Sequence, residues 1–320
     1  MKNNHPSTHT EAAPITPASA HFKGILRRRG APHQRIPASS KIPKRPIIII
    51  MTLAALFAAY VFYGNTAVTV SRYDIRSEKI PPAFDGFRIV QISDLHNSHN
   101  RLMTDSLLRK AEEAKPDIIA LTGDAIDSYM PDVDAAMQVI ERLNQIAPVY
   151  YVIGNHEART GHYYSLSKAM RKIGVAEMGN TYANLRIGDD EIVVAGIFDP
   201  RKESAGGDDE ALIAGRFLSD LDYDREAYTI LLSHRPELMM TYVTHGADLV
   251  LTGHAHGGLV RLPGIGGLYA PHQGFLPKYS GGLYTVSDTS MIVNRGVGNS
   301  GYSFRINDNP ELVIVELHAG

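Results

Sequence analysis

Apolar and polar positions divide the chain into three stretches. Residues 1–45 show neither a helical nor a strand period and are rich in Pro, Ser, Thr, Ala and basic side chains. They are expected to form a disordered basic tail. An apolar run then passes from Ile47 through Leu53, Leu56 and Phe57 to Tyr63, with no charge between Arg45 and Arg72. It is long enough for one transmembrane helix of roughly 20 residues, expected over 46–68, with Tyr60 and Tyr63 suited to an interface. Residues 69–85 read as a linker in which Pro81-Pro82 breaks the chain. The remaining stretch, 86–320, has the size of one domain.

Within that domain strand-like and helix-like runs alternate. Phe87 to Ile92, Ile118 to Leu121 and Val149 to Ile153 read as strands, and the second is apolar throughout, as a buried strand requires. Helical periods fall between them, near 103–114, 133–146 and 165–172, which predicts parallel βαβ units. The second half is richer in strands, expected at 191–197, 228–232, 249–251, 283–286, 291–294 and 312–317. Helices are expected near 210–218 and 236–244. The pattern predicts an α/β fold of two packed mixed sheets flanked by helices.

Charge refines the membrane reading. Lys2, Lys23, Arg27, Arg28, Arg29, Arg35, Lys41, Lys44 and Arg45 precede the apolar run, and only Arg72, Arg76 and Lys79 follow it closely. The positive-inside bias places the tail in the cytoplasm and the domain outside, as a single-pass protein of the cell membrane. The rival readings are a cleaved signal peptide and a buried core helix. The leader is longer than a usual signal and no clean Ala-x-Ala site follows. All-round hydrophobicity behind a basic tail is unusual for a soluble core helix. The formal net charge of -2 gives no sign of specific nucleic-acid binding. With no cysteine in the chain, disulfides and thiolate metal sites are excluded. The 14 histidines are the compositional feature worth following.

Five polar clusters each follow a strand. They are Asp94-Leu95-His96, then Gly123-Asp124 with Asp127, then Gly154-Asn155-His156-Glu157, then Ser233-His234-Arg235, and Gly253-His254-Ala255-His256-Gly257-Gly258. In α/β sheets the crevice at the carboxyl ends of strands is where ligands bind, so the five would converge there. Carboxylate, amide and imidazole donors suit Mn, Fe, Zn or Co. Asp94 and His96 are alternate residues, as are His254 and His256, so each pair can face one point. Two ions about 3.5 to 4 Å apart need a bridging ligand. Asp124, central in sequence among the clusters, is the natural choice.

These blocks, in this order, resemble the five motifs of the calcineurin-like metallophosphoesterases across residues 86–260. Pro82 to Ile89, Arg261-Leu262-Pro263, Tyr269-Ala270-Pro271 and Pro277-Lys278-Tyr279 are similar to its membrane-associated YaeI/YkuE-type phosphodiesterase branch. Leu259 stands where that branch often has Gln. The resemblance implies a four-layer αββα sandwich and two divalent ions. Asp94, His96 and His256 would hold one ion; Asn155, His234 and His254 would hold the other; Asp124 would bridge. It further implies a bridging hydroxide as nucleophile and His156 as a non-ligand, acting as general acid or charge stabiliser. Glu157 and Asp127 are candidates to orient the ligands. Arg261 and Lys278 are candidates for binding the anionic substrate beyond the reacting group. His99, His162, His245 and His272 read as surface or satisfied histidines.

The implied activity is hydrolysis of a phosphate ester, foremost a phosphodiester, with a lipid-linked or envelope substrate suggested by the anchor. A nucleotide-lipid pyrophosphatase of the UDP-2,3-diacylglucosamine type is a rival that works at the cytoplasmic face. A catalytically silent, metal-stabilised envelope binding protein is another, against which stands the complete ligand set.

Overall fold

The computed structural model describes residues 44–204, 208–299 and 305–320. The expected tail falls outside them, apart from Lys44 and Arg45, which open helix α1 (Lys44–Thr66). At 1.5 Å per residue α1 is about 34 Å long, enough for a hydrocarbon core of about 30 Å. Ile48, Leu53 and Phe57 are exposed on it. Among the described residues it is the one helix long and apolar enough to cross a membrane.

Residues 69–77 are not a linker. They form strand β1 (Thr69–Ser77), paired in parallel along its length with the C-terminal strand. The reason lies in the alternation of Val70, Arg72, Asp74 and Arg76 with Ser71, Tyr73 and Ile75. Such a polar, half-exposed run suits a sheet edge, where charge discourages pairing with another chain. The first half continues with β2 (Arg88–Ile92), α2 (Arg101–Ala114), β3 (Ile118–Thr122), α3 (Val133–Ile146), β4 (Val149–Val152), α4 (Asn155–Arg159), α5 (Tyr163–Lys172) and β5 (Ala176–Glu177). The second contains β6 (Thr181–Ile187), β7 (Asp190–Gly196), α6 (Glu210–Ser219), β8 (Thr229–Leu232), α7 (Met239–Thr244) and β9 (Leu249–Thr252). Two short hairpins follow, β10 (Arg261–Leu262) with β11 (Gly266–Gly267), and β12 (Tyr269–Ala270) with β13 (Gly274–Phe275). Last come β14 (Gly282–Val286), β15 (Thr289–Val293) and β16 (Glu311–Ala319). Side chains of Asn100, Asp132 and Asp209 cap α2, α3 and α6, each cap contributing about 1 kcal/mol.

The strands make two six-stranded sheets, ordered β1-β16-β2-β3-β4-β5 and β14-β15-β9-β8-β7-β6. Successive side chains of a strand face opposite ways, and this sorts the core into layers. Ile118 and Ala120 of β3 meet Ile230, Leu232, Leu249 and Leu251 between the sheets. Ile119 and Leu121 face Leu107, Ile140 and Leu166 of α2, α3 and α5. Leu231 and Val250 face Phe217 and Tyr242 of α6 and α7. The result is the four-layer αββα sandwich expected from the sequence.

Strands β2, β3 and β4 run parallel and adjacent in one sheet, and β8 and β9 do so in the other. Their carboxyl ends therefore rise at the same edge. A polar clasp aligns the two sheets just beneath it. Gln91 Nε2 donates to the Thr252 carbonyl (2.8 Å) and to Thr122 Oγ1 (3.2 Å), and Asn294 Nδ2 donates to the Gln91 carbonyl (3.0 Å).

Candidate metal centre

Each strand ends in a tight turn that aims its polar side chain inward. Asp94, His96, Asp124, His254 and His256 all have φ between 44° and 67°. Non-glycine residues seldom adopt this left-handed conformation, and it concentrates where surrounding structure imposes it for function. The turns are stitched together. Asp94 and His96 donate their backbone N–H to the carbonyls of Gly123 and Asp124, both at 3.0 Å. Glu157 Oε2 accepts from the N–H of Asp124 and Gly154, and its Oε1 from that of Ile126. Close approach leaves no room for side chains: a Cβ on Gly154 would stand 2.1 Å from Asp124 Oδ1, and one on Gly253 2.4 Å from Asp94 Oδ2.

Among the described residues four groups of donors result, two of them also drawing in Asp127 with His156 or Glu237 with His272, and the two that share Asp124 are central. Asp94, His96, Asp124 and His256 converge in the first. The Nε2 atoms of His96 and His256 are 3.2 Å apart, and Asp94 Oδ1 is 3.4 Å from that of His256. Asp124, His234 and His254 form the second, with His234 Nε2 3.2 Å from His254 Nδ1. Asp124 belongs to both. Its Oδ1 accepts the His156 N–H, while its Oδ2 lies 3.2 Å from His234 Nε2 and 3.8 Å from His96 Nε2. Asn155 Oδ1 is buried with no hydrogen-bond partner, as is His256 Nδ1.

This donor set fits metal ions. The ring nitrogens 3.2 Å apart can share a proton or flank a cation, and the buried Asn155 amide oxygen, which has no partner, is costly unless something coordinates it. The electrostatics agree. Burial alone would raise Asp124, but the imidazoles of His234 and His156 hold its carboxyl well below the usual range. Burial opposes charge on His234, yet the Asp124 carboxylate pushes that ring up to about 10, so this position favours positive charge. Burial, with Arg235 beside one and His96 beside the other, keeps His254 and His256 neutral, their lone pairs available. Burial raises Asp94, against the pull of His234.

Outer contacts select the tautomers. His234 Nδ1 donates to the Thr122 carbonyl (2.8 Å), leaving Nε2 as the donor to a metal. Arg235 Nη1 donates to His272 Nδ1 (2.9 Å), so that nitrogen is an acceptor. His254 Nε2, 3.0 Å away, must then be its donor, which frees His254 Nδ1 for the centre. Arg235 is itself fully buried against Asp199, Nε to Oδ2 at 2.5 Å. His156 has its Nδ1 taken by the Ser128 N–H (2.9 Å), so the neutral ring carries its proton on Nε2, 4.0 Å from Asp124 Oδ2. Burial pulls this ring below the usual histidine range, against the Asp124 carboxylate.

The structure thus brings Asp94, His96, Asp124, Asn155, His156, His234, His254 and His256 to one place. It does not bring Arg261 or Lys278 there. Arg261 Nη1 is spent on the Gly257 carbonyl (2.9 Å), bracing the turn after His256, and Lys278 lies over the Tyr279 ring. His272, read from the sequence as a surface or satisfied histidine, is exposed and hydrogen-bonded, and one of its partners is His254 of the centre. Only the two-residue strand β12 precedes it, too short to leave the apolar run that marked the other clusters. Gln91 was missed because it sits inside a strand.

Comparison with known proteins agrees with this geometry. Residues 87–258, more than half of the chain, match the Calcineurin-like phosphoesterase family. The metallophosphoesterase YkuE of Bacillus subtilis (strain 168) is 31% identical over 258 residues, 78% of this chain and 85% of the relative. Phosphodiesterase YaeI of Escherichia coli (strain K12) is 27% identical over 238 residues, 72% and 82% of the two chains. A transmembrane protein with metallophosphoesterase domain from Bos taurus is 24% identical over 292 residues, 87% of this chain and 64% of its own. The chain belongs to the calcineurin-like phosphoesterase family, and it is a hydrolase of phosphate esters.

Proposed function

We propose that the chain is a single-pass, membrane-anchored phosphodiesterase with a two-metal centre. It acts on a lipid-linked or envelope phosphate ester from the extracytoplasmic side. The observation that supports this best is the position of Asp124 Oδ2, within 4 Å of both His234 Nε2 and His96 Nε2. Asp94, His96 and His256 would hold one ion and Asn155, His234 and His254 the other, with Asp124 shared. Mn, Fe, Zn or Co suits these donors. Two bound ions would supply Lewis-acid charge for the phosphate oxygens and lower the pKa of water. His156, with its Nε2 proton turned toward the centre, is the donor for the departing oxygen, a role worth about 10²–10⁴ in rate. Glu157 and Asp127 orient: the first ties the turns bearing Asp124 and Asn155, and the second stands 3.5 Å from His96 Nδ1.

The diesterase preference is supported by the relative named as a phosphodiesterase, and the anchor by α1 together with the relatives named as transmembrane proteins. The extracytoplasmic orientation rests on the basic residues ahead of α1. The test is to strip metal from the full chain, restore Mn, Fe, Zn or Co, and assay bis-p-nitrophenyl phosphate beside p-nitrophenyl phosphate. Metal-dependent turnover of the diester, lost in Asp124→Ala and lowered at least about 100-fold in His156→Ala, is expected. Turnover unchanged in Asp124→Ala would refute the assignment.

A further inference from the structure

A cavity of about 460 Å³ opens beside the donor cluster, with His96 and Asp127 at one part of its wall and Asn65, in the last turn of α1, at another. The end of the membrane-length helix is thus part of the wall of a cavity that reaches a candidate metal ligand. The attachment is specific. Asn65 Oδ1 accepts from the Arg305 N–H (2.9 Å) and from Asn299 Nδ2 (3.3 Å), and the Tyr60 hydroxyl accepts from the Asn307 N–H (3.2 Å). The buried Arg305 guanidinium in turn holds Asn299 Oδ1 (2.7 Å) and the Gly298 carbonyl (2.5 Å), and both residues line the cavity.

The lining chemistry is mixed. Met103 and Val297 are apolar and buried, and Tyr129 and Met130 complete the wall while being 75% and 79% exposed. Those two are not loose. Asp127 Oδ1 accepts both of their backbone N–H groups (2.7 and 3.2 Å), and Asn97 Nδ2 donates to the Met130 carbonyl (2.6 Å). A folded turn therefore holds a tyrosine and a methionine out toward solvent beside the catalytic centre. What sets these two apart from other exposed apolar side chains is that they line this cavity, where an occupant would meet them.

We propose that this cavity admits a membrane phosphodiester lipid, with Tyr129 and Met130 entering the bilayer surface and the lipid phosphate reaching the donor cluster. The inference rests on the phosphodiesterase reading and names its substrate class. The apolar run of α1 gives way at Asn65 and Thr66, so the helix leaves the hydrocarbon there and the cavity mouth lies at headgroup level. A phosphate in that layer meets the site without the lipid being lifted from the bilayer. Hydrolysis consumes one water: its oxygen bonds to phosphorus, the P–O bond to the leaving alcohol breaks, and the alcohol oxygen takes a proton.

The test uses the metal-loaded full chain in vesicles of phosphatidylcholine and phosphatidylglycerol. Two probes are compared, p-nitrophenyl hexadecyl phosphate in the vesicle and bis-p-nitrophenyl phosphate in solution. In Tyr129→Ser and in Met130→Asp the ratio of the first rate to the second is expected to fall roughly tenfold, the worth of one apolar contact. Because the chain has no tryptophan, Met130→Trp gives a single reporter. Its emission is expected to shift to the blue in vesicles and to be quenched by brominated acyl chains, while that of Leu212→Trp, on α6 beyond the other sheet, is not. Rates on the two probes that change in step, or a Met130→Trp emission indifferent to brominated lipid, would overturn the proposal. Failure of the wild-type chain to cleave either probe with Mn, Fe, Zn or Co would overturn the phosphodiesterase reading beneath it. Cleavage of the soluble probe without lipid quenching would overturn this inference alone.

Discussion

Burial decides what each ionisable residue in this chain can do. Asp124, His234 and their neighbours are inside the protein, where charge is tolerable only if answered by charge. Asp308, which packs against Gly257 next to His256, shows the same rule. Its carboxylate oxygens have no hydrogen-bond partner, and Arg305 and Arg295 stand 3.6 Å away. Burial pushes it up to about 6, the two guanidinium groups opposing. A carboxyl whose folded pKa lies above its ordinary value stabilises the fold only while protonated. That contribution is fully present below about pH 4 and is lost as pH rises through about 6. The stability of wild type relative to Asp308→Asn should therefore fall between pH 4 and pH 7, by at most about 3 kcal/mol. Urea unfolding of both chains at several pH values measures it. A constant difference would show that Asp308 ionises as if exposed.

At the level of elements, legibility followed pattern. The buried strands β3, β8 and β9 announce themselves as short apolar runs, and α3 through its helical period, because burial on one or two faces leaves a periodic trace. The donor residues were legible because each follows such a strand. What did not show was β1, whose alternating charged and apolar residues resemble a linker until β16 is beside it, and β6, an exposed edge. His272 and Gln91 escaped for a related reason. Their partners lie 18 and 161 residues away, so only the fold reveals them. The role of β1 has a consequence. Val68 and Ile75 are buried, and nine register pairs join β1 to β16. A chain beginning at Glu78 should melt about 10 °C below one beginning at Ala67, since two apolar side chains lose their burial. Equal melting points in a thermal scan would mean that β1 is dispensable.

For the molecule as a whole, the proposed anchor and the donor cluster lie close together. The helix ends beside the cavity that opens next to the donor cluster, so on the proposed reading membrane position would set substrate access. The orientation can be read directly, because the chain contains no cysteine to interfere. Lys172→Cys, on the exposed end of α5, should react in intact cells with a maleimide that cannot cross the membrane. Labelling only after the cells are opened would put the domain in the cytoplasm and favour a substrate at the inner face.

The central claim is that one carboxylate, Asp124, joins two metal sites while His156 serves the chemistry and holds no metal. Elemental analysis of the purified full chain and its variants, loaded and then freed of excess metal, addresses this most directly. Two equivalents are expected in the wild type and in His156→Ala, and a loss of metal in Asp124→Ala. One equivalent or none in the wild type, or loss of metal from His156→Ala, would contradict it.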